Sequence, residues 1–149
     1  MAIELRWLGP DDAAVLDRVA PDVFDGPIVP RRTRAFLDDP RHHLVVALDD
    51  GVVVGMATGV DYVHPDKAPQ LFVNEVGVAA SHRRRGIGRR LVDAMLAHAR
   101  AIGCTYAWVG TEADNVAART LYERAGGAAE PFVLYEWPLD AEDDPAPAA

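Results

Sequence analysis

The sequence predicts an α/β or α+β domain, a mixed β-sheet covered by helices. Three observations carry this. Apolar runs with strand character and amphipathic stretches follow one another in the order β-α-α-β-β-β-α-β-α-β. The stretch "HHLVVALDDGVVVGMATGVDYV" folds back on itself at Asp49-Asp50-Gly51, a tight-hairpin signal. "GIGRRLVDAMLAHARAIG" places Ile87, Leu91, Met95 and Leu96 at helical spacing between glycines.

Taken in order, "IELRWL" alternates as a first strand. "GPDDAAVLDRVA" follows as a helix, capped by Asp11 or Asp12, with Val15, Leu16 and Val19 as its apolar stripe. "FDGPIVP" is a loop, and "RRTRAFLDD" a short second helix with Pro30 at its start. After the hairpin, the two prolines of "HPDKAPQ" mark a loop. "LFVNEVGVA" is a strand leading into the helix that begins at Gly86 and stops at Gly103. "CTYAWVG" is a strand, and "DNVAARTLYERAGG" a helix capped at Asp114 or Asn115 and closed by Gly126–Gly127. "EPFVLYEWPL" is expected to form a last strand. Asp140, Glu142, Asp143 and Asp144 mark residues 140–149 as a disordered tail behind one domain over 1–139.

Composition narrows the functions. With 50% hydrophobic and 26% charged residues in 149, one soluble globular domain is expected. No stretch reaches the ~18 uncharged apolar residues of a membrane span, and "MAIELRWLGPDD" carries no secretory pattern. One cysteine, Cys104, excludes an internal disulfide, so a cytoplasmic location is expected and the thiol reads as a small core residue. A net charge of −8 argues against nucleic-acid binding and suits a cationic substrate. The five histidines show no paired metal spacing; His42 and His43 are strand neighbours and face opposite ways. No metal site and no membrane partner are expected.

Against this acidic background, "HRRRGIGRR" is an exception. Arg83, Arg84, Arg85, Arg89 and Arg90 surround Gly86 and Gly88 where a strand gives way to a helix. Free N–H groups at a helix start, glycines that admit close approach and arginines that grip phosphate oxygens together describe a pyrophosphate cradle. A solvated basic face is the plain alternative. The dinucleotide and P-loop patterns are absent. Arg83-x-x-Gly86-x-Gly88 resembles the acetyl-CoA signature of the GNAT N-acetyltransferases, R/Q-x-x-G-x-G/A. A second match lies downstream. Asn115, Ala118, Leu121, Tyr122 and Gly126 fall on that family's N-x-x-A-x-x-L-Y-x-x-x-G helix, with one departure at Gly127 where many members carry phenylalanine.

The resemblance implies a mixed sheet of six or seven strands flanked by about four helices, with acetyl-CoA as cofactor. The backbone around Arg84, Arg85, Gly86, Ile87, Gly88 and Arg89 would hold its pyrophosphate. Val76, Gly77 and Val78 would pair with the pantetheine arm as a pseudo-strand. Asn115 would hydrogen-bond the cofactor, with Ala118 beside it on the motif. Tyr122 would protonate the departing thiolate, and Glu75 would take the amine's proton. Val78 N–H is the candidate for holding the oxyanion. Read without the resemblance, Glu75 could be a solvent-facing strand residue and Tyr122 a core tyrosine.

For the acceptor, "LGPDD", "FDG", "HRRRGI" and "VLYEWPLD" resemble aminoglycoside 3-N-acetyltransferases. Asp25, Asp61, Glu75, Glu112 and Asp114 are the candidate acceptor carboxylates. A polyamine, another small amine or a peptide N-terminus is the alternative within the same chemistry. An acyl-CoA-binding module without catalysis is the alternative outside it. Relatives of this size also raise a homodimer as a possibility.

Overall fold

The hairpin forms as its turn residues dictate. In the computed structural model, which describes residues 2–139, Asp50 (φ 49°) and Gly51 (φ 76°) are both left-handed, as a two-residue primed turn requires. They join strand β2 (His42–Asp49) to β3 (Val52–Tyr62). Around this pair assembles one sheet of order β1-β2-β3-β4-β5, with β1 at Glu4–Trp7, β4 at Gln70–Val78 and β5 at Tyr106–Trp108. The first four strands are antiparallel; β4 and β5 run parallel, joined by a helical crossover.

That crossover is α2 (Ile87–Ala101), which lays Ile87, Leu91, Val92 and Met95 onto one face of the sheet. Gly55 and Gly59 of β3 let it approach closely: a Cβ there would meet Ile87 and Leu91 at 3.1 Å, or the Met95 sulfur at 3.0 Å. The opposite face is covered by the chain between β1 and β2, which includes α1 (Pro30–Asp38). Strands β2 and β3 are therefore buried on both faces, and Val45, Val46, Val53 and Ala57 lie at the centre of the core. The last helix, α3 (Val116–Arg124), packs beside α2.

Two expected elements are corrected. The helix read over "GPDDAAVLDRVA" is a single 3-10 turn, Ala13–Asp17. Asp12 turns its carboxylate back to Gly9 N–H (2.8 Å) and to Arg6 (2.7 Å) rather than capping a helix. From Arg18 the backbone pairs with Val53 instead, and Pro21 disfavours helical geometry at the residue before it. The strand read over "EPFVLYEWPL" is not formed: residues 128–139 are exposed and lie outside any strand. The described residues thus hold five strands and three α-helices, with short 3-10 turns at Ala13–Asp17 and Ala80–His82, not six or seven strands and four helices. The expected tail over 140–149 lies outside the described residues. Among those residues, no helix is long and apolar enough to cross a membrane.

Candidate active site

The site begins with a slip in register. Gly59 of β3 faces Val73, but Thr58 faces Glu75, which leaves Asn74 as an extra residue in β4. Thr58, a buried polar side chain at 6% exposure, accepts the Glu75 N–H at 3.1 Å. The bulge turns Glu75 onto the face away from α2. There it meets the loop over residues 21–28, and a Cβ on Gly77 would stand 2.2 Å from the Val23 carbonyl oxygen. Burial, and secondarily the negative charge of Asp25 in that loop, push the Glu75 carboxyl above the usual carboxylate range. A half-buried carboxylate with a raised pKa is suited to taking a proton near neutral pH.

The same strand opens a backbone gap. β4 pairs with β5 only through Gln70, Leu71 and Phe72. Beyond them its outer edge is unpaired. Ala79 N–H goes to Val54 O at 2.8 Å on the β3 side, so strand alternation turns Val76 and Val78 to the open edge. Gly77 turns its backbone to β3, so of the three residues expected to face a pantetheine arm it is the exception. Its smallness serves the Val23 contact instead.

At the end of this edge stands the arginine–glycine turn. Arg84 (φ 63°) and Gly86 (φ 75°) are left-handed, and the first bond of α2 runs from Arg90 N–H to Gly86 O at 3.1 Å. No side chain caps this helix, so the N–H groups of Ile87, Gly88 and Arg89 are left to an outside acceptor. Nothing lies within 4 Å of a Cβ built on Gly86. Arg84 and Arg85 are exposed beside it, Arg83 leans on Val78 O (3.4 Å) and Arg89 pairs with Asp93 (2.9 Å). An uncapped helix start, open space over a glycine and two exposed arginines fit a pyrophosphate. Gly88 has a different task, since its missing Cβ leaves room for Leu121 of α3 at 3.4 Å, and the Ile87 side chain is core.

Tyr122 is half-buried on α3, and burial raises its hydroxyl pKa, keeping the proton on. It lines a groove of about 70 Å³ with Val92, Leu96, Ala107 and Val109, on the α2 side of the gap. Asn115 caps α3 by accepting the Ala118 N–H at 3.1 Å, so its carbonyl is engaged and its amide N–H groups are what it offers a ligand.

The acceptor carboxylates divide. Asp25 and Glu75 come together; Glu112 and Asp114 are exposed in the loop before α3. Asp61 does not join them. It lies on the α2 face, with its carboxylate 2.6 Å from His43 Nε2, and His43 Nδ1 is 3.0 Å from His98. Burial and neighbouring His43 hold His98 below its usual pKa. Cys104 is half-buried behind α2, its thiol pushed up by burial. Sequence reading missed Thr58, Val23 and the pair Asp49–His82 (2.7 Å) that braces the turn before Arg83. The hydrophobic pattern around Thr58 was a visible signal, a lone hydroxyl in a buried strand. The others act through tertiary contacts no local pattern encodes.

Comparison with known proteins agrees with this geometry. Residues 13–127 match the model of the acetyltransferase (GNAT) family. The N-alpha-acetyltransferase RimI of Mycobacterium tuberculosis is 36% identical over 104 residues, covering 70% of this chain and 63% of that protein. An L-2,4-diaminobutyric acid acetyltransferase of Streptomyces coelicolor is 37% identical over 97 residues, 62% of this chain and 56% of that one. The chain thus spans less than two thirds of either relative. Among solved structures, an aminoglycoside acetyltransferase from a soil metagenomic sample, in complex with sisomicin, superposes with a TM-score of 0.79 at 18% identity, covering 93% of this chain and 97% of that one. That likeness speaks for the fold. The chain belongs to the GNAT family of acetyl-CoA-dependent acetyltransferases.

Proposed function

We propose that the protein transfers the acetyl group of acetyl-CoA directly to a primary amine of a cationic small molecule, with an aminoglycoside as the first acceptor to test. The observation that supports this most is the open β4 edge running into an uncapped, arginine-flanked helix start, with Glu75 on the opposite face. The α2 N–H groups with Arg84 and Arg85 hold the pyrophosphate, and Val76 and Val78 pair with the pantetheine arm. Acetyl-CoA supplies the activated thioester. Glu75 takes a proton from the ammonium, directly or through water, so that the amine attacks with a free lone pair. Val78 N–H faces the oxygen that becomes negative. Tyr122 gives its proton to the departing sulfur, and no covalent intermediate on the protein is needed. The Asp25–Glu75 pair draws a cation to the site, which suits a polyamine sugar.

A peptide N-terminus is the second reading, favoured by the 36% identity to an N-alpha-acetyltransferase. A panel of aminoglycosides, polyamines, amino acids and N-terminal peptides, incubated with acetyl-CoA and a thiol reagent, separates the two. Binding of acetyl-CoA without thiol release for any acceptor in the panel would leave a binding module as the better account.

A further inference from the structure

The face of the sheet that carries Glu75 also carries an aromatic row. Leu71 lies with Met95 over Gly59, and Val73 lines the groove beneath α2, so Gln70 and Phe72 of β4 turn the other way. Register brings their cross-strand partners to that same side. Tyr62 and Tyr106 flank Gln70, and Trp108 stands beside Phe72. Phe72 and Trp108 meet with ring centroids 4.4 Å apart and planes tilted by 33°, a shallow V of ring faces. The bulge returns Glu75 to this side two ladder steps beyond Phe72, about 7 Å along the strand.

The row is suited to a ring and not to a polar group. Trp108 Nε1–H donates to the Tyr62 hydroxyl at 2.7 Å, and that hydroxyl donates to Gln70 Oε1 at 3.1 Å. These polar atoms are engaged with one another, and the bonds fix the indole in place. The rings themselves stay open, with Trp108 40% and Tyr106 56% exposed. An exposed indole pinned in this way has lost its rotamer freedom before any ligand arrives, which lowers the cost of binding. It offers a rigid apolar face that attracts C–H surface and positive charge alike. Asp25 of the 21–28 loop stands close enough for its charge to act on Glu75, so the end of the row nearest the reacting amine is anionic.

We propose that this row is a ring subsite for the acceptor: with the amine at Glu75, a ring beside that amine lies flat on Phe72 and Trp108. Cationic amines built on rings are then preferred over linear polyamines, whose chains present no face to lay there. The inference rests on the reading of Glu75 as the acceptor end of the site and extends it to the shape of the acceptor.

Calorimetry on the CoA-loaded protein compares sisomicin, a polyamine built on rings, with spermine, a linear one. Sisomicin should bind more tightly. Trp108→Ala should weaken sisomicin about five- to ten-fold and leave spermine and CoA within about two-fold. Trp108→Phe, which keeps a ring, should recover most of the loss. The proposal is overturned if sisomicin binds no better than spermine, or if Trp108→Ala leaves sisomicin unchanged. It is equally overturned if that variant weakens spermine or CoA as much, or if Trp108→Phe is no better than Trp108→Ala. No turnover is read in these titrations. If the row binds sisomicin as expected and no acetyl group is transferred to it, the aminoglycoside reading fails while the ring subsite stands.

Discussion

Gly77→Ala tests the contact that sets the acceptor side of the site. A Cβ at this position would stand 2.2 Å from the Val23 carbonyl oxygen, where ordinary contact begins near 3.4 Å. Either the 21–28 loop or β4 must retreat by about 1 Å. The loop is the softer partner, and moving it loosens Val23, which is only 2% exposed. Overpacking costs about 1–3 kcal/mol, and losing part of Val23's burial adds a fraction of the ~1.5–3 kcal/mol a fully buried valine contributes. A net loss of about 2–4 kcal/mol should lower Tm by roughly 5–15 °C in a chain of this size. The loop carries Asp25, so the acceptor KM should rise several-fold. CoA affinity should hold, because the backbone of Gly77 faces β3 and not the open edge. Calorimetry for melting and CoA binding, with steady-state kinetics for the acceptor, reads all three. A variant that melts like the parent but binds CoA poorly would refute the placement of the loop.

Gly86→Val puts a branched side chain at φ 75° over the open helix start, and CoA affinity should fall at least ten-fold; equal affinity by calorimetry removes the cradle. Thr58→Val keeps the shape but strands the Glu75 N–H, and should cost about 1–3 kcal/mol in urea denaturation; an unchanged midpoint means the bulge is held otherwise. Glu75 works as a base only when ionised, and burial with Asp25 favours the protonated form, so activity should fall with decreasing pH above the ordinary carboxylate range. The Glu75→Gln defect should shrink as pH rises and more amine is neutral. The Tyr122→Phe defect, about 10- to 1,000-fold, should persist until the free thiolate leaves well, near pH ~8.5. Full turnover by Tyr122→Phe with chemistry rate-limiting would leave that hydroxyl without a catalytic role.

What could be read in advance follows from which forces are local. Asp50-Gly51, Pro30 and Gly103 act through backbone conformation, and the hairpin, α1 and α2 appear where these residues put them. The arginine–glycine turn was legible because an anion site at a helix start needs only neighbouring residues. The 3-10 turn was not, since its short length follows from pairing between Arg18, Ala20 and Val53, more than 30 positions away in sequence. Asp61 looked like an acceptor carboxylate on charge alone. Its face depends on strand register, and its partner His43 sits across the hairpin. The last strand failed as an expectation because an apolar pattern shows that a segment could pair but not that it does, and residues 128–139 lie outside any strand.

Register also makes the site depend on one residue with no chemistry of its own. Before the bulge, Leu71 and Val73 of β4 point to α2; after it, Val76 and Val78 do. Asn74 causes that change of parity and is itself exposed. Were Asn74 to pair with Thr58 in a regular ladder, Glu75 would stand opposite Ala57 on the α2 face, driving a carboxylate into the core beneath Ile87 and Leu91. Val76 would turn to the loop face, and the edge groups offered to a ligand would no longer be those of Val76 and Val78. Deletion of Asn74 joins Val73 to Glu75 while both keep their partners Gly59 and Thr58, so the chain should fold cooperatively with Glu75 still on the loop face, and should lose only the bend the bulge supplies. Asn74→Ala, which keeps the count, should melt within about 1 °C of the parent, as surface substitutions usually do. A deletion variant that lost cooperative folding or all turnover would show that the bend of the bulge, and not the register on either side of it, places Glu75.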